Sequence, residues 1–181
     1  MEKVKEVPYG VADFVTVMEQ NLYYVDKTMF IPELEKQPRN LFFIRPRRFG
    51  KSIFLSMLHS YYDCNQSAKF QSLFGNLWIG QHPTELQGKY QVLFLDFSQV
   101  SGNIDSLERN FDFYCSVKLD GFMRRYGEAY SEETREKVRK AEYAMDKLAF
   151  IHDEAAQKGF DAIRKILFDI DGNRRTYELV G

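Results

Sequence analysis

The spacing of apolar positions changes period several times along the chain, and each change marks an expected element. Val7-Pro-Tyr-Gly-Val-Ala-Asp-Phe carries two turn formers, Pro8 and Gly10. Asp13 follows as a cap for a short helix through about Asn21. Leu22-Tyr-Tyr-Val-Asp-Lys-Thr reads as extended, Lys27 to Lys36 as a second helix, and Gln37-Pro-Arg-Asn as a loop. Leu41-Phe-Phe-Ile is wholly apolar, the pattern of a strand buried on both faces. It runs directly into Arg45-Pro-Arg-Arg-Phe-Gly-Lys-Ser. Beyond that loop Ile53, Leu55, Met57, Leu58, Tyr61 and Tyr62 recur with helical spacing.

The second half repeats the alternation. Gly75 to Lys89 is rich in turn signals, and Val92-Leu-Phe-Leu-Asp-Phe is a second apolar run ending in a carboxylate. Ile104, Leu107, Phe111, Tyr114, Phe122 and Tyr126 predict an amphipathic helix over 104–126. Val138, Ala141, Met145, Leu148 and Ala155 predict another from Ser131 to Lys158, closed by Gly159 as a C-cap. Ile166-Leu-Phe-Asp-Ile-Asp offers a third strand. Helices alternating with short apolar strands predict an α/β fold, a parallel sheet flanked by helices. The expected division is a lead-in over residues 1–36 and a core over 37–181, helix-rich from 103 to 158.

Composition narrows the function. Hydrophobic residues make up 44% of the 181 and aromatics 15%, enough for a real core. Lysine and arginine number 25 against 26 acids, so no global field draws the chain to nucleic acid or membrane, and any anion site must be local. Arg124, Arg125, Arg135, Arg139 and Lys140 read as a solvated, salt-bridged face, with nucleic-acid contact the alternative. Cys64 and Cys115 lack CxxC spacing and read as reduced, buried thiols; the three scattered histidines do not suggest a metal centre. Phe74 and Trp78 are spaced i, i+4 and read as core or a partner patch, with core favoured. The charged N-terminus and the lack of any long apolar run predict no signal peptide, no membrane span and a cytoplasmic protein.

The local anion site is the loop at Arg45–Ser52. Gly50-Lys51-Ser52 matches the second half of the P-loop pattern, with Arg45 where the first glycine belongs. Backbone N–H groups of Phe49, Gly50, Lys51 and Ser52 at a helix N-terminus suit a phosphate. Lys51 would reach the β- and γ-phosphates, and the Ser52 hydroxyl would ligate Mg²⁺. Pro46 removes one donor, and Arg45, Arg47 and Arg48 supply charge that offsets it. Ile53 completes the candidate cofactor-binding stretch. The competing interpretation is a solvated basic turn.

Tyr24-Val-Asp-Lys-Thr followed by Arg45-Pro-Arg-Arg-Phe-Gly-Lys-Ser resembles the bacterial and archaeal AAA-ATPase-like family, whose members often carry a PD-(D/E)XK nuclease-like domain at the C-terminus. Pro8-Tyr-Gly-Val-Ala-Asp-Phe and Tyr90-Gln-Val-Leu-Phe-Leu-Asp-Phe-Ser share the resemblance, which extends more loosely to about Gly159. It implies that the arginine-rich string serves as a nucleotide loop for ATP with Mg²⁺, and it places Tyr24–Thr28 upstream, where a contact to base or ribose or a purely structural part is open. It also implies a strand ending in D-E-Y-D. Here Asp169-Ile-Asp171 stands in that place, so Asp169 is the expected second Mg²⁺ residue and Ile170 occupies the position of the catalytic glutamate.

Asp96 ends the second apolar run and reads as a structural carboxylate. A calcium loop at 169–173 fails, because Val180 stands where a bidentate glutamate is required. Measured against the family, the end at Gly181 reads as a truncated or frame-altered member or as a fragment of a longer protein, with sheet strands and sensor elements still to come. The leading expectation is therefore an ATP-binding P-loop module with weak Mg²⁺-dependent hydrolysis. The alternative is a non-catalytic, partner-pairing or self-associating domain derived from an ATPase; nucleic-acid handling enters only through the family's nuclease-like domains.

Overall fold

The computed structural model describes residues 5–37, 41, 46, 49–158 and 167–169, the last three by their backbone. Helix α1 (Phe14–Glu19) is capped by Asp13, whose carboxylate accepts from the Thr16 N–H at 2.8 Å and the Thr16 hydroxyl at 2.7 Å. A 3-10 turn over Thr28–Phe30 leads into α2 (Ile31–Glu35), with Pro32 in its first turn, where a missing N–H does no harm. Helix α3 (Lys51–Tyr62) is followed by a 3-10 stretch over Cys64–Lys69 and by two short helices, α4 (Phe70–Phe74) and α5 (Trp78–Gln81).

These elements share one core. Phe14, Ile31, Phe54, Met57, Tyr61, Leu73, Phe74 and Ile79 pack together, with Phe14 stacked on Phe74 at 4.9 Å between ring centres. The helices hold because each buries one stripe against the others; α1 and α4, at six and five residues, are too short to persist alone.

The second half builds a separate cluster. Strand β1 (Phe94–Asp96) leads through a 3-10 turn at Phe97–Gln99 to α6 (Ile104–Tyr126), capped by Asn103. Helices α7 (Glu132–Lys140) and α8 (Ala144–Gln157) fold back beside it. Leu93, Leu95, Leu119, Phe122, Tyr126, Tyr130, Val138 and Ile151 form its core. The two clusters meet where α3 ends: the Cys64 N–H donates to the Tyr90 carbonyl at 2.8 Å, and the Tyr90 N–H donates to that of Tyr62 at 2.9 Å. The Val92 N–H then donates to the Tyr126 hydroxyl at 3.2 Å.

The expectation of a parallel sheet flanked by helices is overturned. The described residues are mostly helical, and their strands are β1 and β2 (Leu167–Asp169), three residues each, paired in parallel with Phe94 opposite Leu167 and Asp96 opposite Asp169. That ribbon is too small to act as a layer, and the core is closed by helix-on-helix contacts instead. Of the apolar run at 92–97 only the middle pairs. Its start is tied to the hydroxyl of Tyr126, and its end turns at once into the 3-10 helix. The run at 42–44, the cap at Gly159 and residues 170–171 lie outside the described residues.

The single helix expected over 131–158 is broken at Ala141–Tyr143. Ser131 caps α7, its hydroxyl accepting from the Thr134 N–H at 3.2 Å, and Asp112 of α6 caps α8 by accepting from the Ala144 N–H at 2.8 Å. Most of the expected salt-bridged face exists: Arg135 pairs with Glu132, and Arg139 and Lys140 pair with Glu136. Arg125 departs from it, donating to the Val92 carbonyl at 3.2 Å. Trp78 is not core; it is 39% exposed and stacks on His82, while Phe74 is fully buried.

Glu154 holds this second half together. It accepts from the Ser131 N–H at 2.8 Å and the Ser131 hydroxyl at 2.9 Å, and pairs with Lys158. Burial pushes its carboxyl up, but hydrogen bonds from Lys158, Thr134 and Ser131 outweigh that and hold it at about 2, against an ordinary 4.5. A carboxyl depressed on folding stabilises the fold fully above its unfolded value, and the benefit is lost as pH falls through the folded one. Between pH about 4.5 and about 2 the protein is expected to lose about 3 kcal/mol from this group alone. Urea melts of the wild type and of Glu154→Gln across that window test it: the gap between them should close on acidification.

Candidate functional site

The sequence singles out the entry to α3, and the backbone there is unusual. Gly50 is the N-cap residue and sits in the left-handed region, at φ 77° and ψ 27°. A side chain there would be strained, which explains glycine. Gly50 has no side chain to cap the helix, and no acidic residue lies in its first turn. The N–H groups of the first turn have no intrahelical acceptor and present partial positive charge outward. Behind them α3 is anchored firmly, burying Phe54, Leu55, Met57 and Leu58 in the core.

Lys51 and Ser52 open the helix and are half-buried, while Phe49 before them is 59% exposed. Ile53 packs against the first core. Arg45, Arg47 and Arg48 lie outside the described residues. A Cβ built on Gly50 would stand 3.4 Å from Ile53 Cγ2 and 3.6 Å from Lys27 Nζ. The space above this glycine is therefore bordered by an ammonium group from a distant part of the chain. Such a place suits polyphosphate chemically: first-turn N–H groups, a glycine that permits close approach, and an ammonium at the rim.

The Tyr24–Thr28 segment explains how Lys27 arrives there. Asp26 Oδ1 accepts from the Thr28 N–H at 2.8 Å and the Thr28 hydroxyl at 2.7 Å, and its other oxygen accepts from the Trp78 N–H at 2.7 Å. Thr28, fully buried, accepts in turn from the Ile79 N–H at 3.1 Å. Tyr24 packs edge-on against Phe14 at 5.3 Å, and burial pushes its phenol well above the ordinary range. Tyr24, Asp26 and Thr28 are thus structural, and the residue they carry to the loop is Lys27. The sequence placed Lys27 only within the Tyr24-Val-Asp-Lys-Thr motif, with a base or ribose contact or a structural part left open, and gave no sign that it lies beside Gly50.

The expected metal residues are placed less closely. Ser52 is the second residue of α3, and Asp169 ends β2, a strand that packs against α3. Asp96, opposite Asp169 in register, is occupied structurally. It accepts from the Ser98 N–H at 3.0 Å, the Ser98 hydroxyl at 2.6 Å and the Gln99 amide at 3.0 Å. Burial pushes its carboxyl up, and these hydrogen bonds with Lys118 bring it below the usual range.

Folding also gathers Asp13, Ser56 and His59, which invites a nucleophile and base reading. The hydrogen bonds argue otherwise: the Ser56 hydroxyl donates to Asp13 at 3.0 Å and accepts from the Phe14 N–H at 2.9 Å. Burial pushes His59 down despite Asp63 at 3.5 Å. This group docks α1 onto α3.

The profile of the family described as "Predicted AAA-ATPase" matches residues 8–166. The chain belongs to this AAA-ATPase-like family. The family's description agrees with ATP binding in general. A protein of Azotobacter chroococcum mcd 1, described as an uncharacterized protein in the vnfD 5' region, is 43% identical over 63 residues. That match covers 34% of this chain and spans only 12% of the relative's length. No solved structure matches. Among the described residues of this AAA-ATPase-like chain, no helix is long and apolar enough to cross a membrane.

Proposed function

We propose that this AAA-ATPase-like chain binds ATP at the entry to α3. The observation that carries the reading is the left-handed Gly50, leading a helix free of first-turn acid, with Lys51 and Ser52 directly behind it. In this reading the N–H groups of residues 49–52 hold the phosphates, Lys51 reaches the outer ones, and Arg45, Arg47 and Arg48 add charge. Ser52 and Asp169 would hold Mg²⁺, which supplies neutralisation of phosphate charge when bound. Turnover is slow, because Ile170 stands where the family pattern has a carboxylate to position water.

Calorimetry with Mg²⁺–ATP tests it. The wild type should bind, and Lys51→Ala should bind at least about tenfold more weakly, the loss of a charge-assisted contact. If neither binds, the site is vestigial and the interaction-domain reading takes its place.

A further inference from the structure

We propose that Lys27 is a direct ligand of the nucleotide's phosphates, a second lysine at the site that Lys51 serves. The inference rests on the nucleotide reading of the α3 entry and assigns the upstream Tyr24–Thr28 segment a task there.

The geometry selects phosphate over base or ribose. Lys27 Nζ lies 3.6 Å from the position a Gly50 Cβ would take, beside the one residue whose missing side chain lets a ligand approach the backbone. The residues flanking Lys27 leave it little freedom. Asp26 is tied to the Thr28 N–H and hydroxyl and to the Trp78 N–H, and Thr28 is tied to the Ile79 N–H. Its backbone is thus fixed on both sides while the side chain reaches across to α3.

Charge points the same way. Among the described residues no carboxylate forms an ion pair with Lys27 or Lys51, and the first turn of α3 contains no acid. The N-terminus of α3 adds its own partial positive charge. Two lysines at one positive helix end repel each other, and an anion carrying several charges removes that repulsion. ATP phosphates do so; a ribose or a base does not.

The test is calorimetry with Mg²⁺–ATP and with inorganic tripolyphosphate on the wild type, Lys27→Ala, Lys27→Arg and Lys51→Ala, with melting curves alongside. Lys27→Ala is expected to weaken both ligands by about tenfold, Lys27→Arg to recover most of the ATP binding, and the melting temperature to stay near that of the wild type. Weakened ATP binding with unchanged tripolyphosphate binding would assign Lys27 to the base or ribose and overturn the proposal. A large fall in melting temperature that Lys27→Arg does not restore would make its part structural and overturn the proposal equally. Should Lys27→Ala bind like the wild type while Lys51→Ala does not, the nucleotide site stands and Lys27 is no part of it. A wild type that binds no Mg²⁺–ATP fails one level earlier, at the site itself.

Discussion

Phe14→Ala is expected to destabilise the protein by about 3–5 kcal/mol, the range for truncating a fully buried aromatic. Phe14 has no exposed surface, stacks on Phe74 and meets the edge of Tyr24, so its removal opens a cavity bounded by three elements. Because α1 is only six residues long, it cannot slide inward to fill that space and still keep its cap at Asp13. The loss amounts to a large share of a typical domain's stability. Urea unfolding of the variant beside Phe113→Ala provides the comparison. Phe113 is 70% exposed on α6, and its truncation should change stability by under about 0.5 kcal/mol. Equal effects at the two positions would show that the first cluster is not packed as described.

Asp26→Ala is expected to cost about 2–4 kcal/mol, since hydrogen bonds to a charged acceptor contribute roughly 1.5–3 each and are not additive. Its carboxylate serves three donors, the Thr28 N–H, the Thr28 hydroxyl and the Trp78 N–H. Helix α5 has four residues and its N-cap residue, Leu77, makes no side-chain bond, so losing the Asp26 acceptor strands the leading N–H. Denaturant melts of Asp26→Ala and Asp26→Asn separate charge from geometry. Asparagine keeps one acceptor oxygen and should recover part of the loss. An alanine variant as stable as the wild type would remove Asp26 from the structural account of the upstream segment.

The sequence made some of this plain. The cap at Asp13, the helix after Gly50 and the long helix over 104–126 all rest on local signals, namely a carboxylate before an apolar stripe or a stripe of 3.6-residue period, and local signals survive folding. The sheet did not follow from the apolar runs. A short run such as Val92–Phe97 suits a buried strand or any other buried connection, and pairing partners far along the chain decide between them. Here Tyr126 and the Ser98 turn took the two ends. The break at 141–143 was hidden for a similar reason: the cap for α8 is Asp112, more than thirty residues away on another helix. That Lys27 lies beside Gly50 was not legible, because the Asp26 and Thr28 bonds that fix its segment run to α5, about fifty residues away.

Helix α3 begins at the glycine beside Lys27 and ends at the junction where Tyr62 and Cys64 bind Tyr90. Its twelve residues make a rod about 18 Å long at 1.5 Å per residue. Such a rod, gripped along its middle by a packed core, behaves as a lever rather than a spring. A tilt of about 5° about that grip carries each end about 0.8 Å, more than the roughly 0.5 Å spread of backbone hydrogen-bond lengths. The glycine at one end and the α6–α8 half at the other are therefore mechanically joined through α3.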